Sequence, residues 1–237
     1  MCTVSWCHQF PGSYALFFNR DESKTRLPAT PPRVQSANGV EFITPADGDH
    51  GGTWLLANAH GLSVGILNHY AASETYTPDK PTSRGHLVLS LADAHDPQAV
   101  AENLASIDPA PFRPFVLFAV SPSDALLWIW DGKRLRTDSP RLPLTTSSYR
   151  TDEVVASRRL AFANLRSKTP ESLAYYHESH DPERPKFSIR LRRQNTQTVS
   201  LSRIKISPRE VTYTYRPEPD ESLAFGPAAR VSIPRLT

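Results

Sequence analysis

The stretch CTVSWCHQFPGSYALFFNRDE at residues 2–22 decides the fold. Over 2–8 and again over 13–19 it alternates with a period of two and is rich in β-branched and aromatic residues, while Pro11-Gly12 between the two runs is turn chemistry. It therefore reads as an antiparallel hairpin. With Pro11 and Gly12 in the turn, the numbers of paired residues sum to about 22 or 23, which sets Cys2 opposite Arg20 or Asp21. A thiol is thus expected beside a fixed cation and two carboxylates, Asp21 and Glu22. Cys7 has the opposite parity and faces the other side of the sheet as an inert buried thiol, out of bridging reach of Cys2 along one straight strand.

Working outward, the same pattern predicts strands over 53–58, 62–68, Phe115–Val120, Ala125–Trp130, 133–136, 187–192, 198–206 and 211–215, with hairpin signals at His60-Gly61, Asp131-Gly132 and Ser207-Pro208. Helices are fewer. One is expected over 96–107, with Asp96 as cap and Pro97 at the first helical position. A second covers 151–167, with Val154, Ala161 and Leu165 on one stripe flanked by Val155 and Phe162, and a third follows a Thr169 cap. Residues 27–49 read as a long surface loop around a short strand near 40–43, and 217–237 as irregular chain. Many antiparallel strands with a few grouped helices argue for α+β layers over a doubly wound parallel sheet.

The chain has 237 residues, with 27 Lys+Arg against 24 Asp+Glu, eight His, two Cys, 22 Pro and ten Gly. Such a length buries a core without staples and fits a single domain over 1–237. No CxxC pair or Cys/His ligand cluster occurs, which excludes zinc-ribbon and cystine-framework classes. A net charge of +3 with scattered basic residues gives no nucleic-acid footprint. The longest apolar run near the start, 14–18, is too short for a signal sequence or a span, so a soluble, cytoplasmic protein without a membrane span is expected. Oligomeric state is not legible.

Cys2 acquires chemical meaning if Met1 is removed. It then carries a thiol and an α-amine whose unperturbed pKa is about 7.7–8.0, so the nucleophile brings its own base. Arg20 is expected to favour the thiolate and Asp21 to hold the amine. The initial MC, NRDE at 19–22, GGTWL at 51–55, LNHY at 67–70 and SRG at 83–85 resemble the NRDE family, also called the transport and Golgi organisation family. The resemblance is strong over about the first 90 residues and continues weakly through the helix after Tyr149 and RQNTQTVS at 193–200.

That family is similar in turn to the N-terminal nucleophile hydrolases. The resemblance implies a four-layer αββα sandwich, two mostly antiparallel sheets flanked by helices. It further implies Cys2 as nucleophile, Arg20 and Asp21 as the pair flanking it, and Asn68 as an oxyanion donor. Thr146 stands where related linear amidases carry a second asparagine, and Arg193 is the candidate for their late arginine, in competition with Arg190 and Arg192. Asn19, Gly52, Trp54, His69, Tyr70 and Arg84 are expected to border the substrate.

Each of these has a plainer alternative. Gly51-Gly52 either forms a turn or lets backbone approach a ligand. Trp54 is core or pocket wall, Glu22 a turn charge or a site residue, and Arg84 binds an acidic group or pins a loop. Trp128 and Trp130 share a packed face, and Arg190 and Arg192 share a solvated one. The implied activity is amide hydrolysis or acyl transfer on a small acyl amide or thioester, with no cofactor required. The alternative implied by the same resemblance is a carrier for haem or an acyl-lipid or acyl-CoA ligand, with His50, His60 and His69 as axial candidates. In either case the partner is a small hydrophobic or acyl ligand.

Overall fold

The computed structural model describes residues 2–9, 11–73, 75–218 and 225–236. Along the chain run β1 (Cys2–His8), β2 (Tyr14–Ser23), β3 (Thr30–Ala37), β4 (Val40–Ala46), β5 (Leu55–Asn58) and β6 (Ser63–Asn68). The short α1 (Tyr70–Ser73), α2 (Arg84–Leu89) and α3 (Pro97–Ala105) follow. Next come β7 (Phe115–Val120), β8 (Ala125–Trp130), β9 (Leu135–Asp138) and β10 (Leu144–Thr146), then α4 (Thr151–Ala163) and α5 (Pro170–Glu178). The last elements are β11 (Thr196–Ile206), β12 (Glu210–Pro217) and β13 (Ala229–Pro234).

All strand pairs are antiparallel and form two sheets, of order β10-β1-β2-β11-β12-β13 and β3-β4-β5-β6-β7-β8-β9. Strand alternation sorts the side chains into three apolar layers. Val4, Trp6, Leu16 and Phe18 face the other sheet, where they meet Leu55, Ala57, Phe118 and Val120. Trp6 and Phe18 both stack on Phe118, with ring centroids 5.8 and 6.3 Å apart. Ala15 and Phe17 face the opposite way, with Cys7, and are covered by Phe162 of α4 and by Leu173 and Tyr176 of α5. The outer face of the seven-stranded sheet carries Phe115, Leu117, Trp128 and Trp130 and is covered by Leu87 and Val88 of α2 and Val100 and Leu104 of α3. The architecture is therefore helix, sheet, sheet, helix. Each fully buried Leu or Phe adds about 1.5–3 kcal/mol of transfer free energy, so the two-sheet layer and the layer under α2 and α3 both contribute heavily to cohesion.

Cap chemistry acts as expected. The Asp96 carboxylate accepts from Ala99 N–H at 2.8 Å ahead of Pro97, and Thr169 and Ser172 form a reciprocal capping box on α5.

Several expectations are corrected. The strand expected near 40–43 is the core of β4, but the chain before it is not a loop: β3 pairs with β4 as a hairpin in which Asn38 and Gly39, with φ of 48° and 82°, form the turn. β3 contains Pro31 and Pro32 inside a register shift between Thr30 and Arg33, and it is tolerated because it lies at a sheet edge. The segment 187–192 is not a strand. Its amides go to local acceptors, Arg190 N–H to Ser179 O and Arg192 N–H to Pro185 O, and it makes only an isolated bridge at Arg192 and Gln197. Arg190 and Arg192 are not a solvated face either; both pair with the buried Glu218, at 3.0 and 2.8 Å. Within the last stretch, Ala229–Pro234 forms an edge strand on β12, while residues 219–224 and 237 lie outside the described residues. On α4 the buried stripe is Val154, Arg158 and Phe162, and Ala161 is exposed.

Candidate active site

The β1–β2 register places Cys2 opposite Arg20, and the β1–β10 register places it opposite Thr146. Directly paired residues share a sheet face, so Cys2, Arg20 and Thr146 point toward the second sheet. There β6 ends at Asn68. Cys2, Arg20, Trp54 and Asn68 line a cavity of about 360 Å³, whose rim includes Glu22, Arg26, Asp47, His50, Arg84 and Arg113.

Two glycine motifs build this cavity. A Cβ on Gly52 would lie 2.8 Å from the Gly85 carbonyl carbon, and one on Gly85 would lie 2.6 Å from Thr53 N. The GGTWL and SRG segments therefore touch backbone to backbone, sealed by a hydrogen bond from Thr53 N–H to Gly85 O at 3.2 Å. Of the two readings of Gly52, close backbone approach is the observed one, and the approaching backbone is the protein's own. The contact seats Arg84 at the cavity rim, where its Nη1 also donates to Pro114 O at 3.0 Å.

The electrostatics correct one expectation. Arg20 does not draw a proton from the thiol: its Nη2 is paired with Asp47 Oδ2 at 2.5 Å and its guanidinium lies over the Trp54 ring, 4.2 Å from the centroid. Burial dominates at Cys2 and pushes its thiol up to about 11, against an opposing hydrogen bond from the Asp21 N–H. Trp54 is thus both core and cavity wall, buried at 6% exposure and carrying the Arg20 cation. Glu22 is tied to Arg26 at 2.9 Å, and Arg26 also reaches Asp47 and Asp49. Asp47 is accordingly the hub of an ion network that orders Arg20.

Asp21 points the other way, into the layer beneath β1 and β2. Its Oδ1 accepts from Thr198 Oγ1 at 2.7 Å and its Oδ2 lies 3.5 Å from Nη1 of Arg158. Burial raises the Asp21 carboxyl above its ordinary range, with Arg158 pulling it back down. Arg158 also donates to Thr3 Oγ1 at 2.8 Å and to Thr145 Oγ1 at 3.2 Å, locking β1 to β10 beside Cys2.

Asn68 donates from Nδ2 to the Tyr70 hydroxyl at 2.9 Å. An amide nitrogen has two hydrogens, and the second makes no hydrogen bond among the described residues. Thr146 Oγ1 is buried without a hydrogen-bond partner among the described residues. Tyr70 lies behind Asn68, its hydroxyl proton held more tightly than usual by burial.

Of the expected substrate contacts, Gly52, Trp54 and Arg84 line the cavity, while Tyr70 and Thr146 lie outside the lining beside Asn68 and Cys2, and three others are placed elsewhere. Asn19 faces away from the cavity: its Nδ2 donates to His177 O at 2.9 Å and its Oδ1 contacts His177 Nδ1, with Ser5 Oγ 2.8 Å from Nε2 of the same ring. Side-chain alternation requires this, because Asn19 pairs with Thr3 while Arg20 pairs with Cys2. His69 is outside the cavity lining, and burial lowers its pKa. Arg193 is also outside the lining; it donates to Ser147 Oγ at 3.2 Å and Lys186 O at 3.0 Å, and acts on Asp21 electrostatically. Of the candidate histidines, His50 lines the cavity while His60 stacks edge-on against His95. No group of three or more His, Cys, Asp or Glu side chains among the described residues is placed to hold a metal ion. No helix among them is long and apolar enough to cross a membrane. Both cysteines are free.

Arg158, Asp47 and Arg113 were missed from sequence. Only Arg158 carried a signal, a charged residue four positions from Val154 and four from Phe162 on an otherwise apolar stripe.

A comparison with solved structures finds many matching chains, among them two at low identity. One is a mutant conjugated bile acid hydrolase from Clostridium perfringens, at 14% identity, with 98% of this chain and 92% of that chain covered and a TM-score of 0.56. The other is the Caenorhabditis elegans N-acylethanolamine-hydrolyzing acid amidase ortholog, at 12% identity, with 86% and 92% covered and a TM-score of 0.60. At such identities the likeness concerns the fold, the αββα sandwich of the N-terminal nucleophile hydrolases. No curated protein matches. The model of the Transport and Golgi organisation 2 family matches residues 1–185, which hold the Cys2 hairpin, both glycine motifs and Asn68, and the chain belongs to that family.

Proposed function

We propose that the chain, once freed of Met1, is an N-terminal cysteine amidohydrolase or acyltransferase acting on small acyl amides or thioesters. The observation that carries this reading is the convergence of Cys2, from the head of an interior strand, and Asn68, from the facing sheet, on one cavity. Met1 itself lies outside the described residues. In the reaction the Cys2 thiol gives its proton to its own α-amine, and sulfur bonds to the carbonyl carbon. The tetrahedral oxyanion is held by the free Asn68 N–H and by the Thr146 hydroxyl. The carbon–nitrogen or carbon–sulfur bond then breaks, and the ammonium returns its proton to the leaving group. Water or a second amine, deprotonated by the same α-amine, attacks the thioester and releases the acyl group and the thiol.

Burial of the resting thiol supports the need for an adjacent base, since little thiolate exists without one. The acyl chain has a place to go. A second cavity of about 340 Å³, lined by Leu27, Pro28, Val199 and Tyr215, shares Arg20, Glu22 and Arg26 with the first. Incubation of Met1-free protein with octanoyl amide and octanoyl thioester probes, followed by intact mass, should trap an acyl adduct that maps to Cys2 and is lost in Cys2→Ala. No adduct and no turnover would refute it.

The raised thiol pKa also favours a second reading, in which the pocket carries an acyl ligand or haem without turnover. Saturable binding without an adduct would select that reading. For haem, a Soret shift abolished by His50→Ala would assign the axial ligand.

A further inference from the structure

The cavity is lined by four arginines, Arg20, Arg26, Arg84 and Arg113, and two carboxylates, Glu22 and Asp47. Both carboxylates are spent on Arg20 and Arg26. Among the described residues Arg84 has no carboxylate within ion-pair distance, although the Glu22 charge acts on it, and its hydrogen bond goes to the backbone carbonyl of Pro114. Arg113 makes no hydrogen bond or ion pair with any described residue, and its charge acts on Arg84. Two like charges held on one wall repel each other.

The wall is nonetheless built, not loose. Thr82 N–H donates to Pro111 O at 2.9 Å and Thr82 bridges Phe112, so the segments carrying Arg84 and Arg113 are bonded to each other. The Gly52–Gly85 contact fixes the first segment to β5, and Trp130 Nε1 donates to Phe112 O at 3.0 Å and fixes the second. Burial lowers the Arg84 pKa, so Arg84 bears a solvation cost that an anion would offset.

We infer that Arg84 and Arg113 form an anion subsite, and that the natural ligand is an acyl compound bearing a carboxylate or phosphate away from its carbonyl. This inference rests on the acyl-pocket reading above and narrows its substrate class. Arg20, Glu22 and Arg26 line both cavities, so a ligand with its anionic head at the subsite and its apolar tail directed to the second cavity would run through the space that Cys2 lines.

The test measures binding separately from chemistry. Cys2→Ser protein is titrated calorimetrically with N-octanoylglycine, with N-octanoyl-O-phosphoethanolamine and with neutral N-octanoylethanolamine, and wild-type turnover of the same probes is followed in parallel. At least one anionic probe should bind about tenfold tighter than the neutral one, and the carboxylate and phosphate arms identify which head group is preferred. Arg113→Gln, an exposed residue whose loss should leave folding intact, should bring the probes within about twofold of one another. Arg84→Gln should do the same, and its fold is checked by thermal melting because of its bond to Pro114. Equal binding of all three probes, or no binding of either anionic probe up to about 1 mM, overturns the subsite even if wild-type protein hydrolyses them. Preferential anion binding without turnover keeps the subsite and rejects the hydrolase.

Discussion

Arg158 and Asp21 form an ion pair in which neither side chain is exposed, with Nη1 and Oδ2 3.5 Å apart. Removing one partner strands the other charge in the interior. Arg158→Met should therefore lower unfolding free energy by about 3–5 kcal/mol, measured by urea denaturation. A loss under about 1 kcal/mol, the range of exposed pairs, would show that the pair does not hold the β1–β10 junction.

His177 is sealed between Ser5 and Asn19 on the helix side of the sheet. The Ser–His–Asn sequence of contacts looks like a catalytic triad but opens onto no cavity among the described residues, so its role is to clamp α5. Burial lowers the His177 pKa to about 3. The unfolded chain, with histidine near 6.5, binds the proton first, so this group's contribution is intact above pH ~6.5 and is lost as pH falls toward about 3. Unfolding free energies from urea titrations at pH 7.5 and below should fall by up to about 1.4 kcal/mol per pH unit, and that part of the slope should vanish in His177→Gln. An unchanged slope in the variant would sink the assignment.

Gly85→Ala would place a methyl 2.6 Å from Thr53 N, against backbone that cannot swing aside. The expected cost is about 1–3 kcal/mol. Because the displaced segment carries Arg84, affinity for N-octanoylglycine should fall together with the melting temperature. Gly39→Ala, at a turn with open space around it but a φ of 82°, should cost stability while leaving ligand affinity unchanged.

Thr146→Val and Asn68→Ala separate the two oxyanion donors. The Thr146 hydroxyl is buried without a hydrogen-bond partner among the described residues, so its loss should leave stability within about 1 kcal/mol of wild type while slowing acylation of Cys2. Asn68→Ala should slow acylation by about 10²–10³. Single-turnover rates check both; equal rates in all three proteins would remove these side chains from the reaction.

Alkylation of Cys2 by iodoacetamide in protein retaining Met1 should follow a midpoint near 11 and at pH ~8 run roughly a hundredfold slower than free cysteine. Protein lacking Met1 should react faster at the same pH. Equal rates would mean that the α-amine does not serve as base.

The first hairpin was legible because its strands are long and alternating and its turn residues are unambiguous; arithmetic narrowed the partner of Cys2 to Arg20 or Asp21, and the register is with Arg20. The same parity, carried one residue on, would have turned Asn19 away from the cavity, yet motif resemblance grouped it with the site. β3 was obscured by Pro31 and Pro32, although Asn38-Gly39 is a strong two-residue hairpin signal. β10 has three residues and offers no period to detect. At 187–192 an alternating pattern met the wrong partners: Arg190 and Arg192 are drawn to Glu218, and their amides to nearby carbonyls. Arg113 and Asp47 sit in loops, and only tertiary contact shows what they face.

The two prolines in β3 have a consequence beyond local geometry. β3 is an outermost strand of a seven-stranded sheet, and an outermost strand is a template on which another chain can add. Pro31 and Pro32 have no N–H to offer, and the register shift at their position breaks the regular spacing of the remaining donors. The open border of the sheet is thereby blunted against edge-to-edge association, which protects this strand-rich fold from polymerising along its own hydrogen-bond direction.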